Sequence, residues 1–475
     1  MRLPLLVRAL ILIGGWLVSP TLARASHILG AELTYEYAGT SSNPLQYHVT
    51  ARLYEDLSSV ATQTNVLLTC GKNECGMSLP GSFTSTLVRT GTQPVPASCG
   101  AVYQITVFEG TVQLAPAVWT LSINLENRSF NIVNISQSGS ASLYAKATLN
   151  NTAAANLQNS SPKFTTSRLI QLIGSQPQRY SANAFDADGD SLSYQLLQPL
   201  AAPAPTACGA PTLGTPAPHF QLNAATGELL TLPIPLQLGV YALTVQVSEF
   251  RRLNGTWQAI GSVMRDVTYT ASNSANLVPA ITRVATSRTP TGQLLGQVIR
   301  VNPGQLVSLQ VSAADPDAGQ TLTLTSDAAT TVPGAAFQDQ GNGQGLLTWQ
   351  VPAALPPGRY AFPVSVFDSA CPLRGGEART LTFLVTRDAL SVQARQAMIA
   401  PPFPMPFRDE VRFQLTGVGH QLVTISDELG RVVARLTTAT DGRIAWRPGA
   451  ELAAGLYFAR TADGSQVARL AYAGR

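Results

Sequence analysis

The sequence predicts an all-β chain: tandem antiparallel β-sandwich domains followed by a small C-terminal β-sandwich. Three observations predict it. Apolar and polar residues alternate with period 2, as in Trp119, Leu121, Ile123 and Leu125 against Thr120, Ser122, Asn124 and Glu126. The same holds for Tyr241, Leu243, Val245 and Val247 against Ala242, Thr244, Gln246 and Ser248. Such spacing puts one row on a core and the other in water. No stretch beyond the N-terminus sustains a period of 3.6 residues, and 38 Gly and 32 Pro punctuate the chain at short intervals, as many short strands require.

A length of 475 residues allows three or four domains, each large enough to bury a core. The 45% apolar content excludes wholesale disorder. Charged residues make up only 12%, so Ser, Thr, Asn, Gln and Gly must cover much of the surface. Lysine occurs only at Lys72, Lys146 and Lys163. Without Arg2, Arg8 and Arg24, 28 basic residues face 27 acidic ones. A near-neutral chain with no basic stripe gives no footprint for nucleic acid and no polybasic patch for anionic lipid.

The N-terminus reads as a cleavable signal, residues 1–25. Arg2 gives a basic start, Ala9 to Val18 an apolar run, and Ala23-Arg24-Ala25 an A-x-A site, with cleavage between Ala25 and Ser26. The run is too short to span a bilayer, and no later stretch qualifies, because Pro233, Pro235 and Gly239 interrupt Leu229 to Val247. The mature chain is thus expected to have no transmembrane span. Export permits disulfides among Cys70, Cys75, Cys99, Cys208 and Cys371. Three of them fall in one N-terminal region, so one bridge among Cys70, Cys75 and Cys99 is expected, with the pairing open. Zinc at Cys70-x4-Cys75 is the weaker alternative, since no His lies close.

An internal repeat organises the middle of the chain. One copy runs Asp186-Ala187-Asp188-Gly189-Asp190 into a strand and later Gly239-Val240-Tyr241 into an alternating strand that reaches Glu249. The other runs Asp315-Pro316-Asp317 into a strand and later Gly358-Arg359-Tyr360 into a strand that reaches Asp368. Pro363 lies on the polar phase of that strand, which suggests an edge or a bulge. Linkers at Ser272 to Asn276 and Asp388 to Pro406 delimit the domains. The expected division is an N-terminal β-domain at 26–165, β-sandwiches at 166–274 and 277–388, and a C-terminal module at 398–475.

Three stretches carry resemblances. Ser26-His27-Ile28-Leu29-Gly30-Ala31-Glu32-Leu33-Thr34-Tyr35, with Leu53-Tyr54-Glu55-Asp56 and Asn159-Ser160-Ser161-Pro162-Lys163-Phe164, resembles gliding-motility-associated bacterial surface proteins. The repeats, with Phe220 to Leu229 and the Gly-Xaa-Tyr turns, resemble cadherin-like, immunoglobulin-fold modules. The C-terminal module resembles a type A sorting domain of the type IX secretion system, on Met405-Pro406-Phe407, Val423 to Asp427, Leu429-Gly430-Arg431 and Ala454-Gly455-Leu456-Tyr457-Phe458. Its motif residues here are Phe407, Leu429, Gly430, Gly455, Leu456 and Tyr457. The last resemblance implies the type IX machinery as partner, passage through the periplasm, and release at or anchoring to the outer cell surface.

Candidate chemistry centres on acidic loops. Asp186, Asp188 and Asp190 stand at alternate positions around Gly189, with Glu249 ending the paired strand; hard oxygens in that pattern suit Ca²⁺. Asp315, Asp317 and Asp368 are the corresponding set in the second copy. The alternative is that these Asp residues cap turns through backbone N–H groups. The first loop is not an EF-hand, because Gly stands at its fourth position and Leu197 at its twelfth.

No enzyme signature is present. His27, His48, His219 and His420 fall in separate modules, and no G-x-S-x-G, H-E-x-x-H or Walker loop occurs. Trp257, after Asn254-Gly255-Thr256, is the candidate for stacking on a sugar ring. The expectation is a secreted or surface-anchored, non-enzymatic adhesin or structural stalk contacting a surface polysaccharide or another surface protein. A carbohydrate-binding module array is the alternative, and an exported hydrolase the third.

Overall fold

The computed structural model describes residues 28–474 apart from 58–62, 96–102, 127, 205–206, 287–291, 388–397, 418, 429 and 463–465. Ala25, Ser26, Cys99 and Leu429 lie outside the described residues. The chain divides into two compact units, Met1–Arg387 and Asp388–Arg475. That division falls at the start of the linker read from the sequence. The described residues are strands and turns, with one α-helical turn at Ala328–Thr331 and two short 3-10 turns at Ser138–Ser140 and Ala154–Asn156.

The N-terminal lobe is a hydrogen-bonded path of strands that returns to its start. The order runs Ile28–Tyr37, Gln46–Asp56, Tyr103–Gln113, Phe83–Pro94, Asn65–Lys72, Val118–Leu125, Leu143–Asn150 and then Thr256–Ser272. That last strand pairs back onto the first through Arg265, Asp266 and Val267. Closure leaves this lobe little edge to pair with other chains. Alternation fills the inside: Tyr47, Val49, Ala51 and Leu53 are wholly buried, and Trp119, Leu121, Ile123 and Leu125 nearly so. Each Val, Leu or Ile of these rows contributes about 1.5–3 kcal/mol by leaving water.

The first repeat is built on one long hairpin, Gly239–Leu253 and Thr256–Ser272. It reverses at Asn254-Gly255 with φ of 51° and 82°, the left-handed pair that a two-residue hairpin turn needs. The hairpin outgrows its own sandwich. Along one edge of Thr256–Ser272, Gly261 to Val263 pair with the Leu143–Asn150 strand, Arg265 to Val267 with the first strand, and Thr270 to Ser272 with Gln171–Ile173. Sheet and core therefore run unbroken past residue 165, where the sequence places a boundary.

The second repeat is a sandwich of two four-stranded sheets. One holds Ala280–Thr286, Leu306–Ala314, Gln344–Gln350 and Ala335–Gly341; the other holds Val298–Val301, Gly376–Val385, Gly358–Phe367 and Thr323–Thr325. This is the strand order of an Ig-like domain, first-second-fifth-fourth against third-sixth-seventh, with a short extra strand beside the seventh. In the first repeat Arg179–Ser181, Glu228–Thr231 and Phe220–Leu222 form a three-stranded sheet in the matching second-fifth-fourth order. Ser191–Leu197 and the two strands of the hairpin join the large sheet, and Lys163–Phe164 pairs separately with Ala184–Phe185. Trp349 fills the second core, 5.4 Å from Phe362 and 5.0 Å from Phe383 between ring centres. Pro363 lies opposite Thr380, two residues beyond the point where Thr323–Thr325 stops pairing, so its missing N–H breaks no ladder on that side.

One device recurs in every sandwich. In Gly239-Val240-Tyr241, Gly358-Arg359-Tyr360 and Gly455-Leu456-Tyr457 the tyrosine hydroxyl donates to the carbonyl four residues upstream, at Gln237, Pro356 and Ala453. This tyrosine corner pins the strand's entry to the preceding loop, which gives the Gly-Xaa-Tyr repeat of the sequence a structural meaning.

The C-terminal unit packs Ala400–Phe403, Val411–Gln414 and Arg443–Trp446 against Val432–Thr437, Leu422–Asp427, Gly455–Thr461 and Val467–Tyr472. Val411, Phe413 and Leu415 are buried in phase, and Phe407 packs on Trp446 and Tyr472.

The cysteines depart from expectation. Cys75 is bonded to Cys208, 133 residues away, not to Cys70 or Cys99. Cys70 is free and follows Leu68 on the core-facing row of its strand, so it points away from the loop that carries Cys75. That loop meets the 198–212 segment, where the Gly209 amide donates to the Glu74 carbonyl. A zinc site at Cys70 and Cys75 is thereby excluded. Cys371 is disulfide-bonded as well.

Candidate functional site

The acidic loop of the first repeat folds into a buried carboxylate cluster. Asp186 ends the short strand Ala184–Phe185, and Asp190 precedes Ser191–Leu197. The loop closes when the Asp190 amide donates to Asp186 Oδ1 at 3.1 Å. Gly189 makes the turn at φ 82°, close against Pro356 and Tyr360 of the second repeat. Glu249 comes from the long hairpin, at a bulge where it faces Gly261. A Cβ on Gly261 would stand 2.0 Å from Glu249 Oε1 and 2.6 Å from the Tyr35 hydroxyl, so only glycine leaves room for the carboxylate.

Oxygens of Asp186, Asp190 and Glu249 lie within 4.8 Å of one another, and all three side chains are buried. Arg251 forks onto Asp190 at 2.8 and 2.6 Å. Its guanidinium also donates to Asn159 Oδ1 and to the Ala155 carbonyl. Asn159 in turn donates to both oxygens of Glu249 at 3.1 and 3.2 Å, and Tyr35 donates to Glu249 Oε1 at 2.9 Å. Asp188, partly exposed, accepts from the Ser160 amide at 2.8 Å. Asp186 Oδ2 is buried with no hydrogen-bond partner.

One guanidinium faces four carboxylates, and the titration behaviour follows. Burial, reinforced by Asp190, pushes the Asp186 carboxyl up to about 7. Burial and then Asp186 hold Glu249 well above the ordinary carboxylate range, and burial raises Asp188. Such a group is satisfied by protons or by a cation. The donors are all oxygen, and two ligands on opposite sides of a Ca²⁺ ion at ~2.4 Å would lie ~4.8 Å apart. The orphaned Asp186 Oδ2 fits that use. Asp190 is already engaged by Arg251, and both Glu249 oxygens by Asn159 and Tyr35, so Asp186 Oδ2 is the oxygen of the buried triple left to spare.

The corresponding acids of the second repeat are placed differently. Asp368 is wholly buried, accepts from the amides of Ala370 and Gly375, and receives Asn276 Nδ2 at 2.8 Å. Asp315 accepts from the Asp317 amide, and Asp317 from the Leu277 amide. These are turn-capping and linker-pinning roles, and the three do not gather into a carboxylate triple among the described residues.

Trp257 stands at the tip of the long hairpin, 62% exposed and opposite Arg252. Of the sorting-type motif residues, Phe407 and Tyr457 are in the core, Leu456 is half-buried and Gly455 exposed. Gly430, at φ 80°, closes a hairpin on Asp427.

Sequence reasoning missed the partners that hide the cluster: Tyr35, Asn159 and Arg251. It also missed two buried ion pairs in the seam between lobe and repeat. Arg128 grips Asp266 with two bonds of 2.8 and 2.7 Å, and Arg265 pairs with Glu32 while lying 4.1 Å from the Phe164 ring centre. The stretches around Tyr35 and Asn159 converge with the acidic loop at this cluster.

No protein-family model matches the chain, and no curated protein matches it. Among solved structures it is similar to titin domains A168–A170, at 10% identity and a TM-score of 0.17, covering 66% of this chain and 99% of that one. It is also similar to the four N-terminal Ig domains of Dscam1 isoform 4.44, at 13% identity and a TM-score of 0.19, covering 76% and 92%. The Ig-like assignment stands on the strand order given above.

Proposed function

We propose that this chain is a non-enzymatic surface protein: a secreted or outer-surface-anchored adhesin or structural stalk, exported by the type IX secretion system with residues 398–475 as its sorting domain. The observation that carries the reading is the seclusion of Asp186, Asp190 and Glu249. These acids are buried behind Tyr35, Asn159 and Arg251, where they clamp lobe to repeat and no substrate reaches them. Ca²⁺ at Asp186, Asp190 and Glu249 would tighten that clamp. The test is localisation by surface proteolysis before and after deletion of residues 400–475. The full chain is expected at the surface and the truncated chain in the periplasm; normal display of the truncated chain overturns the export route. Hydrolysis of a polysaccharide or peptide by the purified protein would overturn the non-enzymatic role.

The exposure of Trp257 favours a second reading, a carbohydrate-binding array. An exposed indole on a rigid hairpin tip suits stacking on a sugar ring. Glycan binding lost in Trp257→Ala would support it; binding that survives the change would remove it.

A further inference from the structure

Where the N-terminal lobe and the two repeats meet, a cavity of about 630 Å³ opens, a size typical of small-ligand sites. Its wall includes Tyr103 and Phe130 from the lobe, Arg168 and Tyr269 from the first repeat, and Phe367 and Arg374 from the second. Two guanidinium groups share one ring. Arg168 lies 4.4 Å and Arg374 5.1 Å from the Phe367 ring centre. Arg374 is anchored, its Nε donating to the Asp368 carbonyl. Arg168 makes no hydrogen bond or ion pair among the described residues, although its guanidinium has donors in a fork that matches a carboxylate.

The acids on the same wall are Asp56, Asp327 and Glu377. Asp327 accepts from the Ser167 amide and hydroxyl at 2.8 and 2.6 Å. Glu377 accepts from the Ile281 amide and faces Arg379 at 3.6 Å and Arg179 at 3.9 Å. Burial lowers the Arg374 pKa, and the nearby Arg168 lowers it further, so the corner favours an added negative charge.

We propose that this cavity binds a small organic acid, with its carboxylate on Arg168 and a ring-sized body against the aromatic wall. This goes beyond the surface role proposed above and does not depend on it. The ring could come from an aromatic acid or from an acidic sugar, and the two share the same anchor.

The experiment is isothermal titration of the purified full-length chain with phenylacetate and with glucuronate. Each is compared with its neutral counterpart, phenylacetamide or methyl glucuronate ester, and with acetate as a ringless acid. At least one ringed acid should bind at millimolar concentrations, about tenfold more tightly than its neutral counterpart and than acetate. Arg168→Gln should weaken that binding about tenfold with the melting temperature unchanged. Which acid binds identifies the source of the ring. Absence of binding by both acids, equal binding of acid and neutral form, or full binding by Arg168→Gln overturns the proposal. If Arg168→Gln does not fold, the acid-against-neutral comparison on the native chain decides alone.

Discussion

The Tyr35 hydroxyl donates to Glu249 at 2.9 Å across 214 residues of sequence. It ties the first strand of the N-terminal lobe to the long hairpin of the first repeat, where three carboxylates crowd together out of water.

That crowding makes stability depend on pH in an unusual direction. Asp186 has a folded pKa of about 7, above its unfolded value, so the folded state holds its proton more tightly. Stability is therefore greatest below the unfolded pKa and falls as pH rises toward 7. In chelator, Asp186→Asn should be more stable than the parent at pH 8, on the order of 2–4 kcal/mol, and equal to it near pH 4. Urea unfolding at both pH values measures the difference.

Calcium should reverse the same penalty. At about 100-fold excess over its dissociation constant a bound ion adds about 2.7 kcal/mol. The melting temperature of the parent at pH 7.5 should rise with millimolar Ca²⁺, and that rise should vanish in Asp186→Asn and Asp188→Ala. An unmoved parent would leave these residues as turn caps.

Arg128 and Asp266 are 1% and 0% exposed. Removing one partner strands a buried charge, so Arg128→Met should cost roughly 3–5 kcal/mol, while Arg128→Met with Asp266→Leu should recover much of it. Chemical denaturation of these two variants and of Asp266→Leu alone gives the coupling.

The tyrosine corners should be worth a modest, similar amount in each module. Tyr360→Phe and Tyr457→Phe each leave a carbonyl without its donor, at about 0.5–1.5 kcal/mol. Calorimetry of the full chain should show the Tyr457→Phe loss in the transition of the C-terminal unit and the Tyr360→Phe loss in that of the larger one.

Burial pushes the Cys70 thiol up to about 12. Cys70 should resist a thiol reagent at pH 8 in the native chain and react only once the chain is unfolded. Comparison with Cys70→Ala isolates its signal.

Much of this architecture was legible because strand alternation is a local property. Trp119 to Leu125 and Tyr241 to Val247 show their buried rows directly, and the acidic loop shows Asp186, Asp188 and Asp190 turning around Gly189. Long-range pairing was not legible. Nothing near Cys75 points to Cys208, and nothing near Glu249 points to Tyr35 or Asn159, because closing those distances depends on how sheets join. The same limit explains the boundary at 165: the Thr256–Ser272 strand reads as one strand, but its free edge reads as nothing until the lobe is built against it.

The double use of Thr256–Ser272 restricts how this chain can evolve. One residue inserted or deleted within it would turn every later side chain to the opposite face. Val263, Val267 and Tyr269 share one buried row and would leave the core together, while the pairings with the lobe strands at Gly261 to Val263 and Arg265 to Val267 would lose their register. A strand serving a single sheet can slip and ruin one domain; here a single indel would undo two at once, so length variation should be confined to the Asn254-Gly255 tip.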